Sequence, residues 1–271
     1  MPEPRDDDHY LLTRREQEVA VVTLNRPARL NAWTQRDRAA LTRLLHALAA
    51  DEQVRALVLT GAGTGWCAGQ DLTETAGFDP ADPARVETWL DNCADLYDAV
   101  RGLAKPTVAA LNGVAAGSGF QVALLADIRV AHPGVGLGQP EVRHGIPSIT
   151  GTWIIGQHLG LSRTTELVLT GRLLDGTEAH RLGLVHRLVP PDAVLPTALA
   201  IARELAAQPP GAVAATKAWL RELTEPGLRQ AFAAARGWHR DAYASGEPQS
   251  GMHDFLTRPA SPPGTWIGAA Q

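Results

Sequence analysis

The 271-residue sequence contains little cysteine and has no excess of positive charge. Its 2 cysteines, Cys67 and Cys93, do not form a CxxC pair, which favours a reduced intracellular compartment over a disulfide framework. A formal net charge of −4 disfavours a general nucleic-acid or anionic-membrane partner. We therefore expect no nucleic-acid partner.

Long apolar runs are also missing. No stretch reaches the roughly 18 apolar residues that a membrane-spanning helix needs, and the acidic segment MPEPRDDDHY has no apolar core of a secretion signal. We expect a soluble, cytoplasmic protein without a membrane partner. A hydrophobic share of 45% and a charged share of 20% are ordinary for a globular protein with a substantial core.

The most informative stretch is 106–141, PTVAALNGVAAGSGFQVALLADIRVAHPGVGLGQPE. PTVAAL predicts a buried strand, GVAAGSG a loop, and FQVALLAD a helix that begins near Ser118. The first N–H groups of a helix lack intrahelical partners, so a ligand oxygen can bind there, although a Gly-rich turn also allows tight packing. Gln121 lies one helical turn on, and Glu141 follows the probable strand IRVAH and the segment GQP. We expect both side chains to face the helix start.

The rest of the chain alternates strands and helices, as in α/β proteins. The segment 10–27 predicts a hairpin with a turn at 15–18, and leucines at i, i+3, i+4, i+7 predict a helix over 34–50. RALVLTG predicts a buried strand and residues 84–104 a second long helix.

Beyond Glu141 the sequence predicts mainly helices. We expect helical segments over 151–160 and 162–170, a helix capped by Thr177, and a short strand over 184–189. Further helices are predicted over 191–208, 211–223 and 227–245. We assign 10–190 to a core, 191–258 to a helical C-terminal region, and 1–9 and 259–271 to poorly ordered tails.

Two segments resemble the signatures of the crotonase (enoyl-CoA hydratase/isomerase) superfamily. They are RALVLTGAGTGWCAGQDL and, later in the chain, NGVAAGSGFQVALLADIRVA followed by LGQPEV. The resemblance covers about residues 10–258. It implies an α/β fold, a spiral of β-β-α units with a C-terminal helical region that forms trimers or dimers of trimers. It also implies an acyl-CoA thioester substrate, with coenzyme A as part of the substrate and no prosthetic group or metal.

The resemblance also implies roles for individual residues. The N–H groups of Ala68 and Ser118 would form an oxyanion hole, which stabilises a thioester enolate. Arg29 would lie near the coenzyme A phosphates, although it could equally be a solvated loop charge, which we favour for Arg258. The strip that binds coenzyme A would comprise Ala68, Gly69, Gln70, Asp71 and Leu72.

The chain departs from the resemblance at Gln121, where hydratases of the superfamily have a second glutamate. Only Glu141 is left to exchange protons, because an amide can hold a water or a substrate oxygen but cannot exchange a proton as a carboxylate does. The segment HGIPSITGTW after Glu141 also differs from the usual hydratase run. Hydration or double-bond isomerisation of an enoyl-CoA therefore both stay open.

Other readings are possible on the same scaffold. They are thioester hydrolysis, decarboxylation, hydratase-lyase chemistry, and a catalytically lapsed binding or scaffolding paralogue. We expect Trp66, Phe78 and Trp89 to pack in the core rather than define the acyl pocket. We place His144 outside the catalytic set, since a lone loop histidine more often forms local hydrogen bonds.

Overall fold

The computed structural model describes residues 10–257, which form ten strands and nine α-helices. The strands are β1 (Leu11–Glu16), β2 (Val19–Leu24), β3 (Ala56–Gly61), β4 (Gly65–Cys67), β5 (Thr107–Leu111), β6 (Val114–Ala116), β7 (Ile128–Ala131), β8 (Gly136–Gly138), β9 (Leu173–Asp175) and β10 (Arg187–Leu188). The helices are α1 (Gln35–Ala50), α2 (Leu72–Thr75), α3 (Pro83–Arg101), α4 (Ser118–Leu125), α5 (Ile149–Thr170), α6 (Gly176–Arg181), α7 (Val194–Ala206), α8 (Pro210–Ser245) and α9 (Glu247–Thr257). The predicted tails, and Arg258, lie outside the described residues.

Helix α1 shows how local sequence sets these elements. It begins at a capping box, in which the Thr34 side chain accepts from the N–H of Asp37 while the Asp37 carboxylate accepts from the N–H of Thr34. Leu41, Leu45 and Leu48 are buried, as their helical spacing predicts. The predicted helix over 34–50 is therefore confirmed. The helix predicted over 84–104 is also confirmed, as α3.

The strands form two sheets that the chain visits alternately. One has the order β1-β2-β3-β5-β7-β10 and the other the order β4-β6-β8-β9. Three successive pairs, β3/β4, β5/β6 and β7/β8, each place their first strand in the larger sheet and their second in the smaller one. The predicted α/β class and its spiral of β-β-α units are thus confirmed.

Three local predictions were wrong. Part of the expected loop GVAAGSG is β6, because it pairs in parallel with β4 and β8. Asp175 rather than Thr177 caps α6, since the Asp175 side chain accepts from the N–H of Glu178. The strand predicted over 184–189 is limited to β10, the part that pairs with β7.

The C-terminal helices also differ from prediction. Helix α8 runs unbroken for 36 residues with Pro226 inside it, where we expected two helices, over 211–223 and 227–245. Tertiary contacts hold this region: Arg101 of α3 forms an ion pair with Glu225 at 2.7 Å. Helix α9 lies within the predicted helical region 191–258 but was not predicted as a separate helix. The two helical segments expected within α5 are confirmed, since Gly160 is non-helical (φ 70°, ψ 169°). Across residues 10–257, every helix is too short or too polar to span a bilayer.

Candidate active site

The two Gly-rich turns singled out in the sequence meet in space. Strand β4 pairs in parallel with β6, with Cys67 opposite Ala115, so the residues that follow each strand lie side by side. Gly69 has a φ of +90° and approaches the start of α4 closely. A methyl group on Gly69 would lie 3.2 Å from the Ser118 nitrogen and 2.5 Å from the Ala116 carbonyl oxygen. Only glycine fits there.

The N–H of Ser118 at this junction has no hydrogen-bond acceptor among residues 10–257. Ser118 is the first residue of α4, after Gly117 at φ 56° and ψ −131°, so no preceding turn supplies an acceptor. The positive end of the helix dipole adds to the attraction for a negative oxygen. The predicted helix start near Ser118 is therefore confirmed.

The second donor that we expected, the N–H of Ala68, makes another hydrogen bond in the structure. The N–H of Ala68 donates to the Leu30 carbonyl at 2.9 Å and is therefore already used. Gln70 pairs with Trp33 in a parallel bridge, where the neighbouring Gly69 carbonyl and Asp71 N–H make the two bonds. The N–H of Gln70 points away from that bridge, and no hydrogen bond within residues 10–257 uses it.

Within the predicted coenzyme A strip, the side chains of Gln70 and Asp71 are held by contacts with neighbouring residues. The Gln70 side chain is held inward, because its oxygen accepts from Trp89 Nε1 at 2.9 Å and its amide nitrogen donates to Glu74 at 2.8 Å. Asp71 caps α2 and forms an ion pair with Arg26 at 2.8 Å. These side chains brace the strip, so a ligand there would meet backbone atoms.

Leu72 and Arg29 lie at the outer part of the strip. Leu72 is half-buried and packs against the core. Arg29 ends a short 3-10 helix, Pro27–Arg29, and is exposed, with no ion pair among residues 10–257. An exposed guanidinium at this position can bind a phosphate group.

Glu141 lies beside the start of α4. It opens the 3-10 helix Glu141–His144, and a methyl group on Gly117 would lie 2.8 Å from its Oε1 atom. Gln139 donates to Oε1 at 2.6 Å, whereas Oε2 is buried and has no hydrogen-bond partner in the described part of the chain. Burial raises the pKa of Glu141 from 4.5 to about 8, despite the opposing effect of the Gln139 hydrogen bond.

Gln121 is buried on the first turn of α4. Its Oε1 atom accepts two hydrogen bonds, one from the Tyr97 hydroxyl at 2.8 Å and one from the Thr150 hydroxyl at 2.9 Å. Both carbonyl lone pairs are therefore used, and what remains for a ligand is the N–H₂ group. Burial raises the pKa of Tyr97 well above its usual value, so its hydroxyl remains a donor.

Helix α9 packs over the segment that carries Glu141. A methyl group on Gly251 would lie 2.5 Å from the His144 carbonyl oxygen, and the rings of His144 and Phe255 are 4.6 Å apart. Thr75 of α2 donates to the sulfur of Met252 at 3.2 Å. Helix α9 thus contacts both α2, which follows the coenzyme A strip, and the 3-10 helix that begins at Glu141. His144 is one of the residues that it contacts.

Aromatic side chains pack behind the strip. Phe78 and Trp89 both contact Tyr243, with ring centroids 5.7 and 6.2 Å apart. Trp66 is 1% exposed and donates to the Leu59 carbonyl at 3.2 Å. All three predicted core aromatics are buried, as expected.

Sequence reasoning missed several residues that shape the site. Thr150 lies in the segment HGIPSITGTW, which we had noted only for its difference from hydratases. Tyr97 is a buried position of α3, and its local sequence gives no sign that its hydroxyl reaches Gln121. Gln139 lies two residues before Glu141 in the sequence, and this short separation could have indicated that the two side chains interact. No three His, Cys, Asp or Glu side chains in the described ranges are grouped to hold a metal.

Comparisons with known proteins agree with this architecture. The family model for enoyl-CoA hydratase/isomerase matches residues 14–262. The 1,2-epoxyphenylacetyl-CoA isomerase of Escherichia coli (strain K12) is 33% identical over 92% of this chain and 96% of its own length. The 2,3-dehydroadipyl-CoA hydratase of the same organism is 34% identical over 92% of this chain and 96% of its own length.

A solved structure shows the same fold. The crystal structure of an enoyl-CoA hydratase/isomerase from Mycobacterium paratuberculosis superposes with a TM-score of 0.82 at 27% identity, and the match covers 90% of this chain and 98% of that one. The family model spans most of the sequence, including both segments that form the junction of Gly69 and Ser118. The chain therefore belongs to the enoyl-CoA hydratase/isomerase family.

Proposed function

We propose that this enzyme isomerises the double bond of an enoyl-CoA. Glu141 removes a proton from Cα of a 3-enoyl thioester, and the electron pair moves into the thioester carbonyl to form an enolate. The same carboxyl group then returns the proton to Cγ, and the double bond shifts to the 2-position. No water is added and no other reactant is needed.

The observation that carries this choice over hydration is the state of Gln121. Two neighbouring hydroxyls, those of Tyr97 and Thr150, donate to its Oε1 atom. A water that attacks Cβ needs acceptors for its protons, and Gln121 offers only N–H donors. Such a donor would bind the water's lone pair, which is the pair that must attack. The Gln121 amide is better suited to hold a substrate oxygen in place.

Backbone donors support the enolate. The N–H groups of Gln70 and Ser118 lie at the junction where Gly69 approaches α4. A donor aimed at a developing oxyanion typically contributes about 3 kcal/mol to transition-state stabilisation, so two supply a large part of the rate enhancement. We propose Gln70 in place of Ala68 because the Ala68 N–H is already bonded to Leu30.

The environment of Glu141 suits proton transfer between carbon atoms. A pKa of about 8 makes its carboxylate a stronger base than an exposed glutamate, and still allows a large protonated fraction near neutral pH. The unpartnered, buried Oε2 atom is the oxygen we assign to the transferred proton. Gln139 holds the other oxygen in place.

Binding of coenzyme A and assembly complete the proposal. The backbone from Ala68 to Leu72 holds the thioester end, and Arg29 contacts the phosphates. The chain forms a trimer or a dimer of trimers, for which the exposed apolar residues of α8 give support. Trp219 and Trp238 are 59% and 63% exposed in the single chain. Leu220 and Leu223 are also exposed beside Trp219, and an exposed apolar patch marks an interaction surface.

Turnover of two thioesters by three proteins tests the reaction. We expect the parent to convert 3-hexenoyl-CoA to the 2-enoyl product and to hydrate crotonyl-CoA poorly. Gln121→Glu adds the second carboxylate and should raise hydration of crotonyl-CoA, with a gain that depends on pH because the two carboxylates repel one another. Tyr97→Phe is the matched control, since it frees one lone pair of Gln121 without adding a carboxylate.

Faster hydration than isomerisation by the parent would show that the enzyme is a hydratase. Absence of turnover on both thioesters, together with binding of coenzyme A, would instead favour a binding paralogue.

A further inference from the structure

Trp33 contacts both turns of the proposed oxyanion hole. Its backbone N–H donates to the Gly69 carbonyl at 2.9 Å, and its carbonyl accepts from the Asp71 N–H at 2.9 Å, so it brackets Gln70 on both sides. Its indole Nε1 donates to the Ser118 hydroxyl oxygen at 2.9 Å. Trp33 itself is fully buried, at 0% exposure.

Through its backbone and its side chain, Trp33 therefore connects the two segments that carry the proposed donors, which lie far apart in the sequence. The indole is rigid and has a single N–H, which must find an acceptor because it is buried. The Ser118 hydroxyl is that acceptor. The bond holds the first residue of α4 at a fixed distance from the backbone that Trp33 brackets. A glycine or alanine at 118 would leave the indole N–H without this partner.

We propose that Trp33 is a positioning residue that sets the separation between the N–H groups of Gln70 and Ser118. The proposal rests on the proposed function, in which these two N–H groups stabilise an enolate. Within residues 10–257 the hydrogen bonds of Trp33 go to Gly69, Asp71 and Ser118 and none goes to Glu141, so we expect Trp33 to act through the geometry of the hole. Loss of the indole bond should therefore weaken enolate stabilisation while substrate binding stays nearly unchanged.

A double-mutant cycle isolates this bond. Trp33→Phe removes the indole N–H and keeps an aromatic ring, and Ser118→Ala removes the acceptor and keeps the backbone N–H. Trp66→Phe is the matched control, because Trp66 is also buried and its indole donates to the Leu59 carbonyl, away from the two donors. Thermal unfolding of each variant separates loss of stability from loss of positioning.

Two readouts are measured for the parent and each variant. One is kcat and KM for 3-hexenoyl-CoA. The other is the near-ultraviolet absorbance of the enolate that acetoacetyl-CoA forms when an oxyanion hole binds it. We expect Trp33→Phe and Ser118→Ala each to lower kcat about tenfold, to leave KM within about twofold and to weaken the enolate absorbance. The double variant should lose no more than either single one, because both changes delete the same bond.

Losses that multiply in the double variant would overturn the proposal, and so would an unchanged kcat and enolate absorbance in Trp33→Phe. Equal effects of Trp33→Phe and Trp66→Phe on the absorbance would show a purely structural role. If the parent fails to isomerise 3-hexenoyl-CoA but gives the enolate absorbance, the proposed reaction is wrong, and the absorbance alone decides the role of Trp33. A parent that gives neither signal has no oxyanion hole, which contradicts both proposals.

Discussion

Replacing Glu141 by glutamine should affect activity and stability in opposite directions. The carboxyl group is the proton carrier of the proposed reaction, and it is also a buried acid with an unpartnered oxygen. Its pKa is about 8 in the folded protein, compared with an ordinary value of 4.5. Glutamine keeps the shape and can still accept from Gln139, but it cannot carry a proton or a charge.

The effects on kcat and on the free energy of unfolding can each be given an approximate size. Loss of the acid/base group should lower kcat by about 10²- to 10⁴-fold, since positioned proton transfer typically contributes that much. For stability, the difference between a pKa of 4.5 and one of about 8 corresponds to at most about 5 kcal/mol. We expect roughly half of this to be realised, because a buried site relaxes when it ionises.

The difference in stability between Glu141→Gln and the parent depends on pH. Below pH 4.5, Glu141 is protonated in both the folded and the unfolded protein, so parent and variant should have similar stability. Between about 4.5 and 8 the unfolded chain releases its proton while the folded protein retains it, so the parent loses stability as pH rises. Glu141→Gln has no such loss. Its advantage should therefore grow through this window and level off above about pH 8.

Urea unfolding at pH 5, 7 and 8.5 measures this advantage, alongside turnover of 3-hexenoyl-CoA. Glu178→Gln is a control of opposite sign, because Arg172 holds the pKa of Glu178 below its usual value. All three pH values lie above the ordinary pKa of 4.5, so that variant should be less stable than the parent by about the same amount at each of them. Full turnover by Glu141→Gln on every thioester that the parent converts would refute the mechanism. A stability gain that is the same at all three pH values would refute the burial of a titrating carboxyl group.

Three further predictions concern the neighbours of this group and the surface. Gln139→Leu removes the donor that stabilises the Glu141 carboxylate, so the rise of kcat/KM with pH should move to higher pH in a pH–rate profile. Ser118→Pro deletes the proposed backbone donor and should lower kcat about 10²- to 10³-fold, whereas Ser118→Gly should lose only about tenfold, and equal losses would implicate the side chain. Light scattering should give a mass of three or six chains, and Trp219→Glu should reduce it; a monomeric parent at micromolar concentration would contradict the assembly.

The parts of the site that sequence predicted correctly are those with a local physical cause. The helix start at Ser118 followed from two glycines beside it and the helical spacing after it, and α4 begins there. The approach of Glu141 to this helix start was expected from its position directly after the segment GQP, and a methyl group on Gly117 would lie 2.8 Å from its Oε1 atom. Both depend on patterns that a short window of sequence contains.

The identity of the second donor depended on contacts that no short window contains. Ala68 and Gln70 both belong to the segment CAGQD, and each carries a backbone N–H. The Leu30 carbonyl takes the first of them, and the bridge to Trp33 leaves the second free. Those partners come from the segment before α1, about forty residues earlier in the chain. Only the tertiary fold decides between the two donors.

The continuity of α8 also depends on tertiary contacts that a short window of sequence does not contain. Pro226 lacks an N–H and predicts a helix end, yet the helix continues through it. Glu225, next to this proline, accepts from Arg101 of α3 and from Arg229 one turn later. Gly227 lies so close to α5 that a methyl group there would be 2.5 Å from the Trp153 indole nitrogen. Packing against two other helices outweighs the local preference for a break.

Burial of Glu141 connects its base strength to the choice of reaction. In a site with two carboxylates, mutual repulsion can raise a pKa, but here burial alone raises the pKa of Glu141, because its neighbour Gln121 is neutral. The same exclusion of water that strengthens the base also removes the nucleophile that hydration requires. A single buried glutamate beside an amide with no free acceptor therefore favours returning a proton to carbon over adding water. Gln121→Glu should lower the barrier to hydration, because a second carboxylate can accept a hydrogen bond from the attacking water, while repulsion between the two carboxylates keeps the pKa of Glu141 raised.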